Sequence, residues 1–206
     1  MIDKKDHWEN IYKTKDHKKV GWYQESPEIS LELFSRINAI PTEAVIDVGC
    51  GASVLVDNLT SQGFRDITLL DLSEEALSSI EKRLGDKGNV PNYMATDITK
   101  PFELPKHVNI WHDRAVFHFL TDAHDRKSYM SNLDNNLSIS GHAVIGTFSL
   151  NGPDSCSGLN VVRYDEQKMK IELPDSLELV ESIISTHIMP SGTEQEYIYF
   201  IIKKHA

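Results

Sequence analysis

One short segment limits what this chain can fold into. Val45-Ile46-Asp47-Val48 is an apolar, β-branched run, and it stops at Gly49-Cys50-Gly51-Ala52-Ser53 before a helical stretch, Val54–Gln62. A strand that turns on glycines into a helix opens a βα unit. The pattern then repeats. Ile67–Leu70 is a second apolar run, and Ser73–Leu84 follows with Leu77, Ile80 and Leu84 on one helical face. Tyr93–Thr96 and Val108–His112 read as further strands, Arg126–Leu137 as a helix with Tyr129, Met130, Leu133 and Leu137 in register, and His142–Phe148 as a fifth strand. Strands alternating with helices imply a parallel sheet covered on both faces. The last 30 residues break the rhythm: Leu177–Met189 and Glu196–Lys203 are strand-like, with only a turn around Pro190-Ser191-Gly192-Thr193 between them. Parallel neighbours need a long crossover, so this pair is expected to be an antiparallel hairpin. The expected fold class is α/β, a doubly wound seven-stranded sheet, mostly parallel, with an antiparallel C-terminal hairpin.

Ahead of the first strand the chain is charged, with Trp8, Ile11 and Tyr12 at helical spacing. Ser26-Pro27-Glu28 reads as an N-cap, a proline at the first helical position and an early acid, and Leu33, Phe34 and Ile37 continue that helix on one face. No linker or repeat is evident. The expectation is one domain over residues 1–206, with residues 1–40 forming a helical cap over a ligand site.

Composition narrows the function classes. There are 31 Asp+Glu against 21 Lys+Arg, a net charge of −10, so no basic field draws the chain to nucleic acid. Cys50 and Cys156 are too few for a disulfide scaffold. No apolar run approaches the roughly 18 residues of a membrane span, and the polar start, Met1 to Asp6, lacks the apolar core of a signal peptide. The expected location is cytoplasmic, with no membrane partner; the oligomeric state is left open.

Glycines on a strand–helix turn let a ligand approach the backbone. Asp71 ends the second strand, 22 residues beyond Gly49. An acid there takes ribose hydroxyls in nucleotide-binding α/β folds, since a carboxylate accepts two hydrogen bonds from a vicinal diol. Dinucleotides and S-adenosyl-L-methionine share this layout. The dinucleotide pattern puts Gly or Ala at position 54, where this chain has Val54, and does not call for an acid at Asp47.

Asp47, Gly49 and Gly51 resemble motif I of the class I S-adenosylmethionine-dependent methyltransferases, with Ser53 in place of a frequent third glycine. Asp71 in Leu69-Leu70-Asp71-Leu72-Ser73 resembles motif II, Ala95-Thr96-Asp97-Ile98 resembles the third motif, and the terminal hairpin matches the family's reversed seventh strand. The implied fold is Rossmann-like. His7-Trp8, Gly21-Trp22-Tyr23-Gln24, the run Trp111 to Leu120, Gly152-Pro153, Cys156-Ser157-Gly158-Leu159 and Arg163-Tyr164 look like a bacterial branch of this superfamily, distantly similar to eukaryotic protein lysine methyltransferases such as those acting on elongation factor 1A and citrate synthase.

The resemblance implies a set of roles. Gly49 and Gly51 pass close to the methionine part of the cofactor. Asp47 anchors the turn or meets the ammonium group. Asp71 holds the ribose, Asp97 and Ile98 frame the adenine, and Leu72 covers its other side; the alternative for Asp97 is a loop cap. Trp22 and Tyr23 fold over the cofactor, with Tyr23 toward the carboxylate and either ring toward the sulfonium, or else they are core. Opposite the cofactor, His118 is the candidate base and Asp113 the candidate acidic group; the alternatives are a packed histidine and an Asp113–Arg114 ion pair shaping the loop. A metal held by His112, Asp113 and His118 is not expected, because methyl transfer does not demand one. Asn151–Tyr164 reads as a lid, with Arg163 facing a substrate carboxylate or the surface. The expected function is methyl transfer to an unidentified acceptor, a small molecule in preference to a protein lysine. The rivals are a nicotinamide oxidoreductase and a non-catalytic binding module.

Overall fold

The computed structural model describes residues 3–206. Seven strands form one sheet: β1 (Val45–Val48), β2 (Ile67–Asp71), β3 (Asn92–Ala95), β4 (Val108–Arg114), β5 (Leu137–Phe148), β6 (Leu177–Ile188) and β7 (Glu194–Lys204). Their spatial order is β3-β2-β1-β4-β5-β7-β6. The first five are parallel, and β7 runs antiparallel to both β5 and β6. The chain winds outward from β1 to β3 and then resumes at β4 on β1's other side. The strand order therefore reverses between β1 and β4, where open α/β sheets form their ligand crevice.

Helices α1 (Lys4–Thr14), α2 (Glu28–Arg36), α3 (Leu55–Ser61), α4 (Glu74–Leu84), α5 (Ala123–Asn136) and α6 (Glu166–Glu172) cover the sheet. Alternate side chains of each strand feed opposite layers. Val45, Leu69 and Ile110 pack with Phe34, Leu59, Leu77 and Ile80 of α2, α3 and α4. Ile46, Leu70 and Trp111 pack on the other face with Tyr129 and Leu133 of α5 and Met169 of α6. All four β1 residues are buried, as a central parallel strand requires.

The fold matches the expected seven-stranded, Rossmann-like arrangement with its terminal hairpin, and the differences are local. Pro27, not Ser26, occupies the N-cap of α2: its carbonyl accepts the Leu31 N–H at 3.0 Å, and no side chain caps the helix. β4 runs two residues further than expected, because Arg114 still pairs with Gly146. β5 leaves α5 directly at Leu137 and carries an irregularity between Leu137 and His142, which hid its start. Helix α6 was not expected at all. It has seven residues and one fully buried side chain, Met169, too few for a visible period; its signal was the cap Asp165, which accepts the Lys168 N–H.

Candidate active site

The glycine turn after β1 is held from below. The Gly49 and Cys50 N–H groups both donate to the Leu70 carbonyl, at 2.7 and 3.1 Å, and the Gly51 N–H donates to Asp71 Oδ2 at 2.8 Å. Gly49 and Gly51 both adopt left-handed backbone (φ +62° and +54°), and a Cβ would strike Val116 on the first and the Tyr12 hydroxyl on the second. With three N–H groups engaged inside the protein, the turn does not present them to a phosphate. That geometry suits a cofactor approaching in van der Waals contact better than a pyrophosphate.

Beside the turn, the Asp47 carboxylate lies 2.7 Å from His112 Nδ1, and His112 Nε2 lies 2.9 Å from the Ser30 hydroxyl. This buried row ties β1 and β4 to α2. At the end of β2, Asp71 Oδ1 also accepts the Ser73 N–H at 2.8 Å. Burial pushes the Asp71 carboxyl up to about 6, against the pull of those backbone donors. A carboxylate has about four lone-pair positions, so it retains acceptor capacity toward a diol.

Helix α1 roofs this region. The Glu9 carboxylate accepts from the Ser73 hydroxyl and from the Glu74 and Glu75 N–H groups at the start of α4, at 3.1, 2.8 and 3.3 Å. The negative charge suits the positive end of that 11-residue helix. α1 then presents Trp8 and Tyr12 to Trp22 and Phe119; the Trp8 ring centroid lies 5.2 Å from Phe119 and 5.7 Å from Trp22.

Two abutting cavities lie beneath. The smaller is lined by Tyr23, Asp47, the glycine turn, Ser30 and His112, among others. The larger, of about 690 Å³, runs from Asp71, Leu72, Asp97 and Ile98 past Val116 and Phe119 to Arg114, Cys156 and Tyr197. Tyr12, Trp22, Gly49 and Arg114 line both. All nine residues expected to bind cofactor, Trp22, Tyr23, Asp47, Gly49, Gly51, Asp71, Leu72, Asp97 and Ile98, thus come to one bipartite hollow. Asp97 also bonds the Thr99 N–H and hydroxyl, so it closes a loop as well as facing the cavity.

The two residues expected to carry chemistry lie elsewhere. Asp113 is fully buried and lines neither cavity. Its oxygens accept the Val116 and Phe117 N–H groups, at 2.8 and 3.0 Å, and the Tyr129 hydroxyl at 2.7 Å. It therefore holds the turn after β4, in which Ala115 takes a left-handed φ of +73°. Asp113 forms no ion pair with Arg114; the two side chains of adjacent strand residues leave opposite faces. His118 is also fully buried, between Phe119 and Phe148 at 4.6 Å from each ring. Its Nδ1 accepts the Phe148 N–H at 3.2 Å, and burial, with the Arg114 charge, lowers its pKa to about 3. His118 is thus a neutral packed imidazole, not a base facing the cavity. His112 and Asp113 point to opposite layers, and among the described residues no group of three or more His, Cys, Asp or Glu is placed to hold a metal.

The segment after β5 is tied down. Arg163 donates to the Leu150 and Gly152 carbonyls, Val162 N–H to the His118 carbonyl, and Tyr164 N–H to that of Phe148. Arg163 closes its own loop and does not face a ligand. Cys156 lines the larger cavity, but burial pushes its thiol up, away from nucleophilic thiolate. Among the lining residues, Trp8, Tyr12, Arg114 and Tyr197 had no binding role in the sequence reading; the helical spacing of the first two was the available signal.

The methyltransferase-domain family matches residues 46–145, the stretch that holds β1 to β4 and most of β5. Residues 46–145 have the sequence pattern of a methyltransferase domain. Its fold is that of an S-adenosylmethionine-dependent methyltransferase from Anabaena variabilis (TM-score 0.80, 17% identity, 100% of this chain and 96% of that one). It is also that of magnesium protoporphyrin IX methyltransferase from Synechocystis with bound S-adenosylmethionine (TM-score 0.72, 14% identity, 100% and 99%). In sequence, the chain is 30% identical over 95 residues to the eEF1A lysine and N-terminal methyltransferase of Bos taurus. That match takes in 46% of this chain and 13% of the length of that relative. The expected match to a methyltransferase domain is found, and so is the expected distant likeness to elongation-factor lysine methyltransferases. No helix among the described residues is long and apolar enough to cross a membrane.

Proposed function

We propose that this methyltransferase domain transfers the methyl group of S-adenosylmethionine to a small-molecule acceptor, with residues 1–40 as the cap over the site. One observation carries the reading: nine residues from separate segments, chosen for their motifs, line one bipartite hollow at the switch point between β1 and β4. Asp71, Leu72, Asp97 and Ile98 form the adenosine end, and Asp47, Gly49, Gly51 and Tyr23 the methionine end. The cofactor supplies a methyl already activated on a sulfonium. What the chain must do is align the nucleophile and exclude water. Trp8, Tyr12, Trp22 and Phe119 do the second, and their ring faces also favour a cation beneath them.

With His118 neutral and Asp113 tied to backbone, neither expected residue removes a proton. An acceptor atom that arrives already nucleophilic needs neither of them. The roof of α1 favours a small acceptor. A protein lysine is the second reading, favoured by the eEF1A relative, and it requires α1 to move aside. A reducing, cytoplasmic setting fits the two free cysteines. The test is tritiated methyl transfer from S-adenosylmethionine to a panel of small acids, phenols, thiols and amines, with lysate protein in parallel. Label in small molecules alone supports the reading; label in protein alone replaces it with the second.

A further inference from the structure

Arg114 is the one residue lining both cavities that neither the motifs nor the mechanism uses. It ends β4, and its guanidinium is fixed on three sides. Nη1 donates to the Trp22 carbonyl at 2.9 Å, Nε donates to the Tyr199 hydroxyl at 3.2 Å, and Cζ lies 5.2 Å from the Tyr197 ring centroid. On the fourth side Nη2 is buried and has no hydrogen-bond partner. Among the described residues no carboxylate lies within ion-pair distance of it. A desolvated guanidinium without an anion is costly, and its planar fork matches a carboxylate. The cavity wall around it is aromatic, with Trp22 and Tyr197 joined by Trp8 and Phe119.

We propose that Arg114 selects the methyl acceptor by binding its carboxylate, the acceptor being an acid with a flat apolar body that fills the aromatic wall. This rests on the methyl-transfer reading of the same site. A guanidinium in the cavity wall attracts an anion and repels an ammonium, and the cofactor's sulfonium is repelled as well unless an anion lies between. An acceptor carboxylate supplies that anion and places the rest of the molecule against the rings. The cofactor's own carboxylate is the other source of the same chemistry, and the experiment separates the two.

The experiment is calorimetry on the full chain and on Arg114→Gln, Arg114→Lys and Tyr199→Phe, each checked for folding by circular dichroism. S-Adenosylhomocysteine is titrated first. Benzoate, benzamide and benzylamine are then titrated into the S-adenosylhomocysteine complex and into the free protein. The expected result has three parts. S-Adenosylhomocysteine binds Arg114→Gln within about twofold of wild type. Benzoate binds the wild-type complex and loses at least about tenfold in Arg114→Gln, with Arg114→Lys and Tyr199→Phe intermediate. Benzamide does not distinguish the variants, and benzylamine does not bind. A tenfold loss of S-adenosylhomocysteine in Arg114→Gln assigns the anion to the cofactor and overturns the proposal. So does benzoate that fails to bind wild type or binds Arg114→Gln equally well, and so does preferential binding of benzylamine. If wild type does not bind S-adenosylhomocysteine, the methyl-transfer reading fails, and benzoate on the free protein still decides the role of Arg114. Should Arg114→Gln not fold, Arg114→Lys and Tyr199→Phe carry the comparison.

Discussion

Asp71 and Gly51 are joined by a hydrogen bond of 2.8 Å from the Gly51 N–H to the carboxylate Oδ2. The acid that faces the larger cavity and the glycine turn that faces the smaller one are therefore a single unit. Oδ1 extends it to the Ser73 N–H, Ser73 caps α4 through the Ala76 N–H, and Glu9 of α1 lands on the same cap. Cofactor site and roof share one set of polar contacts.

Loss of the Asp71 carboxylate weakens cofactor binding. Asp71→Ala is expected to raise the Kd for S-adenosylmethionine by one to two powers of ten, on the order of 1.5–3 kcal/mol for hydrogen bonds to a charged group. The pH dependence follows from the carboxyl lying near 6 in the free protein. The ionised form accepts the ribose hydroxyls, so affinity is level above about pH 7 and falls about tenfold per pH unit below 6. Calorimetry from pH 5 to 8 checks this, and an equally steep fall in Asp71→Asn contradicts the assignment.

Asp113 acts on stability. Asp113→Ala strands the Val116 and Phe117 N–H groups and the Tyr129 hydroxyl in the interior, at a cost of about 2–4 kcal/mol. Denaturant unfolding measures it. A loss of turnover with unchanged stability in this variant would return Asp113 to the chemistry.

His118 makes the fold acid-sensitive. Its folded pKa, about 3, lies below the unfolded value of 6.5, so the unfolded chain binds the extra proton between those limits. The stability that it contributes is present above pH 6.5 and drains away as pH falls toward 3. His118→Asn keeps an acceptor for the Phe148 N–H and removes the titration. Between pH 7.5 and 5 the wild type is expected to lose on the order of 2 kcal/mol more than the variant. Unfolding curves at both pH values decide it; parallel losses contradict the buried neutral histidine.

Glu9 holds the roof. Glu9→Ala removes three acceptor contacts at the start of α4, worth roughly 1–2 kcal/mol together. Hydrogen exchange in residues 4–14 is expected to quicken, and S-adenosylmethionine to bind severalfold more weakly as Trp8 and Tyr12 loosen. Unchanged exchange in that helix argues that its apolar face alone holds it.

The fold was legible because its signals are local and repeated. The β1 turn, the β2 acid and the terminal hairpin announce a doubly wound sheet and its reversed strand; seven of the nine cofactor residues reach the hollow from positions in or just after β1, β2 and β3, and Trp22 and Tyr23 from the segment between α1 and α2. What failed was the assignment of chemistry to polar residues after β4. Sequence shows that His118 and Asp113 follow a strand end, but not that alternation turns Asp113 toward Tyr129, or that a short 3-10 turn, Phe117–Phe119, buries His118 against Phe148. Arg114 was read with its neighbour in the chain, while its partners, Trp22 and Tyr199, are 92 and 85 residues away. Helix α6 and the start of β5 lacked a period to read.

The central claim is that the bipartite hollow binds S-adenosylmethionine. Calorimetric titration of the purified chain with S-adenosylmethionine, S-adenosylhomocysteine and NAD tests it most directly. The account expects micromolar, one-to-one binding of the first two and none of NAD. Binding of NAD, or no binding of either sulfur cofactor to the folded chain, contradicts it.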